Sequence, residues 1–339
     1  MNEMRVAIIG CGRQAEKHIS GLRAIPGVEL VLADLDVERA RAMGQAQGLQ
    51  WVHTVGEIFA DEGIAAVDVC TPTPTHFDLI SSAVGSGKDF LCEKPLTESL
   101  DEAVRLAARV RETGTIGMVG YIYRFAPIFE LGHRLFKDAA QTGESMVLGR
   151  ITAAHFRLSG RGSHQLWKHM LRTGGGAVNE MLVHMVDLAI WYFGPVASAR
   201  VLACDLLRPT RAINGGNPRV DAEDYVLVRL AMDSGVQVFC QADLVTPSFM
   251  QMADVQGEYG TFAGSIQPHF PSYLHLEREV AGFRAGRNDF QYGQRNLFEA
   301  QMADFIHAVR AREQPSRSTI HDSVLLIQAM NKIRAEIRP

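Results

Sequence analysis

The sequence lacks the features that would place it among nucleic-acid-binding or membrane proteins. It has no basic excess, because 34 Lys and Arg face 38 Asp and Glu and the formal net charge is −4. General nucleic-acid binders usually carry a clear positive surplus, so we expect no nucleic-acid partner. No apolar run reaches the roughly 18 residues of a membrane-spanning helix, so we expect no membrane partner. The N-terminus also lacks the apolar stretch of a signal peptide.

The five cysteines lack the spacing of a zinc site, because no two of them form a CxxC pair. Three of them fall in or beside strand-like runs that read as buried, where a free thiol acts as a small hydrophobic group. We therefore expect reduced cysteines, with no disulfide framework and no metal site. Reduced thiols favour a cytoplasmic location.

The sequence does contain enough apolar material for two domains, with 339 residues of which 47% are hydrophobic. Over residues 1–122, short apolar runs alternate with helix-like segments, which predicts a doubly wound Rossmann domain with a parallel sheet. Residues 123–339 predict an α+β domain with an open, mainly antiparallel sheet. An amphipathic helix is predicted there over about 177–193. The final helix, about 320–337, is expected to be able to pack back on the Rossmann domain.

A glycine motif stands between the first predicted strand and the helix that follows it. Residues 10–15 read GxGxxA. Gly10 permits a tight turn, Gly12 lets the backbone approach a pyrophosphate, and the helix N-terminus offers free N–H groups to phosphates. Asp34 ends the second strand, where its carboxylate would accept hydrogen bonds from a ribose 2′-hydroxyl. Because a carboxylate there repels a 2′-phosphate, the sequence favours NAD over NADP. The nearest cations are Arg13 and Arg39.

Further motifs follow in a fixed order along the chain. They are Thr71-Pro72-Thr73-Pro74-Thr75-His76, Cys92-Glu93-Lys94-Pro95-Leu96, Tyr123-Arg124-Phe125-Ala126-Pro127, and Gly174-Gly175-Gly176 followed by Glu180, His184 and Asp187. Together with the glycine motif, they resemble the Gfo/Idh/MocA family of oxidoreductases, which includes glucose–fructose oxidoreductase and inositol dehydrogenase. The resemblance spans nearly the whole chain.

The resemblance implies a cofactor site and a catalytic lysine. Lys94 occupies the place of the family's lysine and would assist proton transfer at a substrate hydroxyl. The Lys94–Pro95 peptide bond is expected to be cis. The residues implied at the cofactor are Gly10, Gly12, Arg13, Gln14, Asp34, Thr71, Pro72, His76, Glu93 and Lys94.

The second-domain motif adds an imidazole and two acids. Helical spacing of i, i+4 and i+7 places Glu180, His184 and Asp187 on one face. His184 can act as a base, because imidazole titrates near neutral pH, and the alternative is a buried histidine beneath the sheet. Asp187 is interpreted as structural. Glu180 replaces the family's usual aspartate, and Leu182 stands where a glycine is common, which leaves the role of Glu180 open.

A run without Asp or Glu extends from Ser145 to just before Glu180. Its basic and histidine residues are Arg150, His155, Arg157, Arg161, His164, Lys168, His169 and Arg172. Arginine forks suit carboxylates and phosphates, so one interpretation is an anionic substrate such as a sugar acid, a sugar phosphate or a nucleotide sugar. The other is a solvated face or an oligomer contact. The predicted substrate residues are Lys94, Tyr123, Arg157, Trp167, Lys168, Glu180 and His184.

The leading hypothesis is an NAD(P)-dependent dehydrogenase acting on a secondary alcohol of a sugar, a sugar derivative or a cyclitol. Lys94 and His184 would manage the hydroxyl proton. Alternatives are an NAD-dependent glycosidase that works by transient oxidation and elimination, a non-catalytic NAD-binding sensor and, more weakly, a reductase of an unsaturated ring. The C-terminal sheet resembles the one that family members use for assembly, so a homo-oligomer is expected, either a dimer or a tetramer.

Overall fold

The chain folds into two units in the computed structural model, which describes residues 3–162, 165–293 and 295–337. The first unit comprises the chain up to residue 125 together with residues 295–327, and the second comprises residues 126–293 and 328–337. Across these described ranges, no helix has both the length and the apolar character needed to cross a membrane.

A six-stranded parallel sheet forms the first unit, with the order β3-β2-β1-β4-β5-β6. The strands are β1 (Met4–Ile9), β2 (Val28–Ala33), β3 (Gln50–Trp51), β4 (Ile64–Val69), β5 (Asp89–Cys92) and β6 (Gly117–Val119). The helices between them are α1 (Arg13–Arg23), α2 (Val37–Gln47), α3 (Val55–Ala60), α4 (His76–Gly85) and α5 (Leu100–Thr113). The predicted doubly wound domain is confirmed. The strand order reverses at β1 and β4, and doubly wound folds bind ligands beside such a point.

The core of the first unit also includes a late helix, α9 (Leu297–Ala311). Gly21 of α1 allows the close approach, because a Cβ there would stand 2.9 Å from Met302 Cγ. Phe305 of α9 is fully buried in the same core. Residues 295–327 therefore cluster with the first unit. The sequence analysis placed residues 123–339 in the second domain and expected only the final helix, about 320–337, to pack back on the first. This packing joins segments far apart in the chain, and local periodicity does not record it.

The last helix, α10 (Ile320–Ile337), is divided between the two units. In the first unit, Tyr121 Oη lies 2.7 Å from Ser323 Oγ, and Arg124 Nη1 donates to Asp322 Oδ2 at 2.9 Å. Residues 328–337 belong to the second unit, where Lys332 Nζ donates to the carbonyl oxygen of Ala197 at 3.0 Å.

The second unit is built on a nine-stranded sheet that is antiparallel except where β8 pairs with β11. Its strands are β7 (Glu144–Ser145), β8 (Gly149–Ser159), β9 (Val196–Asp205), β10 (Tyr225–Met232), β11 (Gln237–Asp243), β12 (Met250–Gly257), β13 (Gly260–Ser265), β14 (Ser272–Leu276) and β15 (Gly286–Phe290). Its helices are α6 (Pro127–Phe136), α7 (Ala139–Thr142) and α8 (Val183–Phe193). The open, mainly antiparallel sheet is as predicted.

The strands of this sheet alternate between a covered face and an outer face. In β10, Val226, Val228 and Leu230 are fully buried, whereas Leu227 is half-buried and Arg229 exposed. Helix α8, buried along nearly its whole length, packs against β8 and β11 and covers the inner face. The period of two therefore separates a core face, which α8 covers, from an outer face with half-buried and exposed side chains.

Candidate functional site

The turn after β1 has the shape that a pyrophosphate needs. Gly10 has φ of +99°, a conformation that side chains rarely adopt, and a Cβ there would stand 2.8 Å from Thr71 Cγ2. Gly12 precedes helix α1 without a side-chain cap, and a Cβ there would meet no atom within 4 Å. There is therefore open space beside the N-terminus of α1, where the backbone N–H groups of a helix suit phosphate oxygens. Arg13 beside them is exposed.

Asp34 is held at the end of β2 by the neighbouring backbone. Its Oδ2 accepts the N–H of Cys11 at 2.7 Å, and its Oδ1 accepts the N–H of Asp36 at 2.9 Å. Each carboxylate oxygen can accept a further hydrogen bond, so a ribose hydroxyl finds acceptors there. Arg39, one of the two cations nearest in sequence, pairs with Asp36 at 3.3 Å. These contacts fit the adenosine ribose of a dinucleotide.

Glu93 and Lys94 follow β5, and the Lys94–Pro95 peptide bond is cis, as expected. The two carboxylate oxygens of Glu93 have different hydrogen-bond partners. Oε2 accepts the backbone N–H of Lys94 at 3.1 Å, while Oε1 accepts Gln14 Nε2 at 2.7 Å and lies 3.0 Å from His18 Nε2. Burial alone would raise the pKa of Glu93, but the hydrogen bond and charge of His18 lower it to about 2. The carboxylate beside Lys94 is therefore ionised.

His76 joins two loops at the carboxyl edge of the sheet. The ring is fully buried, and its two nitrogens lie 2.9 Å from the carbonyl oxygens of Pro95 and Thr71. Burial lowers the pKa of His76. Since both nitrogens already face backbone oxygens, the ring of His76 connects the loop after β4 to the loop that carries Lys94. Thr71 and Pro72 begin the first of these loops.

Two residues that the sequence analysis did not single out complete the network under Glu93. Asp68 Oδ2 lies 2.8 Å from His18 Nδ1, and both side chains are fully buried. Each of the two residues could have been noticed in the sequence. Asp68 interrupts an apolar strand, and a buried acid is rare unless it is paired. His18 stands four residues after Gln14, on the same face of α1.

The same cluster contains a set of metal-ligand types. Among the described residues, ligand atoms of His18, Asp68 and Cys70 lie within 4.8 Å of one another. His18 Nδ1 already shares a hydrogen with Asp68, and burial raises the pKa of the Cys70 thiol to about 12. A metal needs the deprotonated thiol and a free imidazole nitrogen. The contacts are therefore those of a hydrogen-bonded cluster.

In the second unit, the glycine segment brings Lys168 to Glu180. The backbone of the turn at residues 166–169 packs so closely on Gly175 that a Cβ there would collide with it. The N–H of Gly176 donates to the carbonyl oxygen of Lys168 at 2.9 Å. The Lys168 ammonium then forms an ion pair with Glu180 Oε2.

The helix that carries Glu180 begins with a π-helical turn, Val178–Leu182, before α8. The sequence predicted a regular helix here, because apolar periodicity does not resolve one inserted residue. π turns occur frequently at functional sites. Glu180 lies within the turn. His184 in α8 is half-buried and Asp187 is almost fully buried.

A cavity of about 350 Å³ in the second unit is bordered by the Lys168–Glu180 pair. The other residues that line it are Gly160, Arg161, Gly162, Met181, Leu244 and Phe249. Apolar walls with a few polar groups are typical of small-molecule sites. Trp167 is 47% exposed, and Lys168 Nζ stands 5.0 Å from its ring centroid.

The basic residues of the acid-free run do not converge on one point. Of the described members, Arg161 and Lys168 line the cavity. Arg157 lies on the outer face of the sheet and pairs with Asp243 at 3.7 Å, and His155 stacks on Phe239 with centroids 5.0 Å apart. Lys168 is already paired with an acid that follows the run.

The remaining predicted residues are scattered. His169 is buried, Arg150 and Arg172 are exposed, and His164 lies outside the described residues. Tyr123 is half-buried, and burial raises the pKa of its phenol.

Two family models match this chain. The model described as an oxidoreductase family with an NAD-binding Rossmann fold covers residues 4–121, and the GFO/IDH/MocA C-terminal domain covers residues 136–263. The chain belongs to the GFO/IDH/MocA family. This family member is an NAD(P)-dependent dehydrogenase, as the sequence predicted.

Known proteins resemble this family member along nearly its whole length. The scyllo-inositol 2-dehydrogenase (NAD(+)) of Bacillus subtilis (strain 168) is 28% identical over 344 residues, which cover 98% of this chain and 95% of the relative. The 4-carboxy-2-hydroxymuconate-6-semialdehyde dehydrogenase of Sphingobium sp. (strain NBRC 103272 / SYK-6) is 28% identical over 325 residues, 93% of each chain. Levoglucosan dehydrogenase, solved with NADH and levoglucosan, shares the fold, with a TM-score of 0.85 at 19% identity and coverage of 99% and 97%.

Proposed function

We propose that this enzyme transfers a hydride between a secondary alcohol of a sugar, a sugar derivative or a cyclitol and NAD. The observation that carries the proposal is the lysine at the carboxyl edge of the first sheet, whose backbone N–H is bound by the ionised carboxylate of Glu93. The names of relatives, an inositol dehydrogenase among them, support a polyol as the substrate class.

The cofactor roles follow the fit of the first unit to a dinucleotide. Gly10, Gly12 and the N-terminus of α1 would hold the pyrophosphate, and Asp34 would accept the hydroxyls of the adenosine ribose. Bound NAD supplies the nicotinamide that accepts the hydride. NAD is preferred to NADP, because the carboxylate of Asp34 repels a 2′-phosphate and Arg39 is already paired with Asp36.

The proton roles belong to Lys94 and His184. We assign to Lys94 the acceptance of the hydroxyl proton as the carbon–hydrogen bond breaks, and its return in the reverse reaction. His184 would share that proton transfer. Glu180, fixed by its ion pair with Lys168, would accept a hydrogen bond from a second substrate hydroxyl. We also propose that Trp167 and Tyr123 contact the substrate.

The test is a substrate panel with NAD and with NADP, followed by NADH or NADPH absorbance, on the wild type and on Lys94→Ala. The panel pairs neutral sugars and inositols with uronic acids and sugar phosphates. We expect Lys94→Ala to lower kcat by about 10²- to 10⁴-fold with little change in NAD affinity. Lys137→Ala, at an exposed position, is the matched control.

The outcomes separate the alternatives. Undiminished turnover in Lys94→Ala would refute the catalytic assignment. Equal rates on neutral and anionic members of each pair would remove the anionic-substrate interpretation. Tightly bound NAD, release of a glycosidic substituent and no net NADH would indicate the glycosidase instead. NAD binding without turnover of any glycoside or polyol would indicate the sensor.

We also propose that the protein assembles as a homo-oligomer through the outer face of the second sheet. Leu227, Phe239 and Met252 are half-buried side chains on that face. Apolar side chains grouped on an outer sheet face are typical of protein–protein contact surfaces. The cytoplasmic location stays a prediction from the sequence.

A further inference from the structure

A histidine on α1 stands between two carboxylates in the interior of the first unit. His18 Nδ1 lies 2.8 Å from Asp68 Oδ2, and His18 Nε2 lies 3.0 Å from Glu93 Oε1. The side chains of His18 and Asp68 are 0% exposed, and that of Glu93 is 14% exposed. Both ring nitrogens are therefore at hydrogen-bond distance from an acid, away from water.

This geometry favours the charged form of the imidazole. A neutral imidazole donates from one nitrogen and accepts at the other, whereas an ionised carboxylate only accepts. A neutral ring would therefore direct a lone pair at one of the two carboxylate oxygens. Only the imidazolium donates on both sides. The electrostatics agree, because burial would lower the pKa of His18 but the charge of Asp68 and its hydrogen bond raise that pKa well above the usual value.

The other groups around the two acids are hydrogen-bond donors. Apart from the ring of His18, the described residues that bind Glu93 are donors, Gln14 Nε2 and the Lys94 N–H. Asp68 Oδ1 faces the thiol of Cys70 at 3.7 Å, and burial raises the pKa of that thiol to about 12, so the thiol donates. Donors therefore face oxygens of both carboxyl groups, as ionised carboxylates require.

The remaining neighbours add little charge. Cys70 Sγ also lies 3.3 Å from His18 Nδ1. From α9, the ring of Phe298 packs at 5.6 Å from the imidazole, with Lys17 Nζ over that ring at 5.2 Å. Among the residues that the structure describes, the titratable groups in contact with His18 are Asp68, Cys70 and Glu93, with Lys17 behind the phenyl ring.

We propose that His18 is a positioning residue: as an imidazolium clamped between Asp68 and Glu93, it fixes the Glu93 carboxylate and, through the Lys94 N–H, the place of the lysine. The proposal deepens the proposed function and rests on it for the role of Lys94. Asp68 keeps the charge on the ring. Without its contact with the His18 ring, the Glu93 carboxylate could rotate and release the backbone N–H of Lys94.

The direct test requires no catalysis. In ¹⁵N-labelled wild-type protein, the side-chain nitrogen signals of His18 report the protonation state of its ring. These signals are assigned by their absence from the spectrum of His18→Asn or by their changed position in the spectrum of Asp68→Asn. We expect an imidazolium from about pH 5.5 to about pH 8.5. A neutral ring at pH 7 would overturn the proposal, and this outcome is independent of any substrate. The control His307→Gln, at an exposed position on α9, should leave these signals unchanged.

The second test uses Asp68→Asn, which keeps the size of the side chain and removes its charge. The pKa of His18 should then fall into the measurable range. A group whose folded pKa is raised keeps its charge below that pKa, so the clamp in Asp68→Asn is intact at low pH and is lost as the pH rises. We expect kcat/KM of Asp68→Asn to match the wild type near pH 6 and to drop by about 10- to 100-fold by pH 9.

A merely structural role would give a different result. It would lower the thermal stability of Asp68→Asn and leave the shape of the pH profile parallel to that of the wild type, and that result would overturn the positioning role. If His18 is an imidazolium but no member of the substrate panel is turned over, the proposed function fails while the charged clamp stands.

Discussion

Gly10 and Gly12 are two residues apart, and the structure gives each a different reason to be glycine. Gly10 is constrained by the protein itself, because its φ is positive and its α-carbon faces Thr71 and the backbone of Cys70. Gly12 has φ of −89° and open space where a side chain would project. The first glycine serves the fold of the turn. The second leaves room for a ligand.

This difference predicts opposite results for two alanine substitutions. Gly10→Ala should lower the free energy of unfolding by about 1–3 kcal/mol, because it combines an unfavourable φ with a steric collision. Gly12→Ala should cost about 1 kcal/mol or less, the loss of a helix N-cap glycine, but should weaken NAD binding by tenfold or more, as order of magnitude. Thermal unfolding of the apoprotein and a fluorescence titration with NAD measure the two effects. NAD binding to Gly12→Ala at wild-type affinity would contradict the assignment of the pyrophosphate.

At the scale of elements, the sequence predicts those strands, turns and helices that a local pattern of residues encodes. The strands of the first sheet were predictable, because runs such as Val6–Ile9 are apolar at successive positions and are buried on both faces. The turn between β10 and β11 was predictable from Asp233-Ser234-Gly235, since Gly235 adopts φ of +88°. The cofactor motif was predictable for the same reason, because its strand, turn, helix and acid follow one another closely.

Contacts between segments that are distant in the chain could not be predicted from local sequence patterns. The clamp on His18 joins residues 18, 68 and 93, and no periodicity connects them. The ion pair of Lys168 with Glu180 depends on the packing of the turn at residues 166–169 against Gly175. The π-helical turn depends on one extra residue in a helical pattern. The sequence of residues 208–219, which includes Asn214-Gly215-Gly216-Asn217-Pro218, is typical of an exposed loop. Arg211 within it is nevertheless only 7% exposed.

Arg211 fastens this loop to the second unit through a buried ion pair. Its Nη2 donates to Asp224 Oδ2 at 2.8 Å, and Asp224, which is 1% exposed, also accepts the N–H groups of Leu207 at 2.7 Å and Arg208 at 2.9 Å. The guanidinium donates further to the carbonyl oxygen of Leu244. The loop is therefore ordered by an acid that follows it in the chain.

We predict that Asp224→Asn destabilises the protein far more than the loss of an exposed ion pair does. The substitution leaves the buried guanidinium without its counter-charge, at a cost of about 3–5 kcal/mol. The matched control is Asp289→Asn, which removes an exposed partner 2.8 Å from Arg287 and should cost about 1 kcal/mol or less. Urea unfolding of both variants measures the difference. Equal midpoints would show that the buried pair does not anchor the loop.

At the scale of the whole molecule, the outer face of the second sheet has the composition of a contact surface. Apolar side chains such as Leu227 and Phe239 are interleaved with charged ones such as Arg229 and Asp254. The ring of His155 stacks on Phe239, which gives the face a flat aromatic centre. Interfaces commonly combine an aromatic centre with a polar rim. In a monomer this face would remain in contact with water.

The proposed assembly can be tested by placing a charge at that centre. Phe239→Lys should dissociate a homo-oligomer that forms through the outer face, because a lysine at the middle of the contact would be desolvated without a partner. Multi-angle light scattering after gel filtration should then give a lower molar mass than for the wild type. Val104→Lys is the matched control, since Val104 is 48% exposed on α5 in the first unit, and its mass should not change. A wild-type protein of monomer mass, or a Phe239→Lys variant of unchanged oligomeric mass, would exclude this face as the site of assembly.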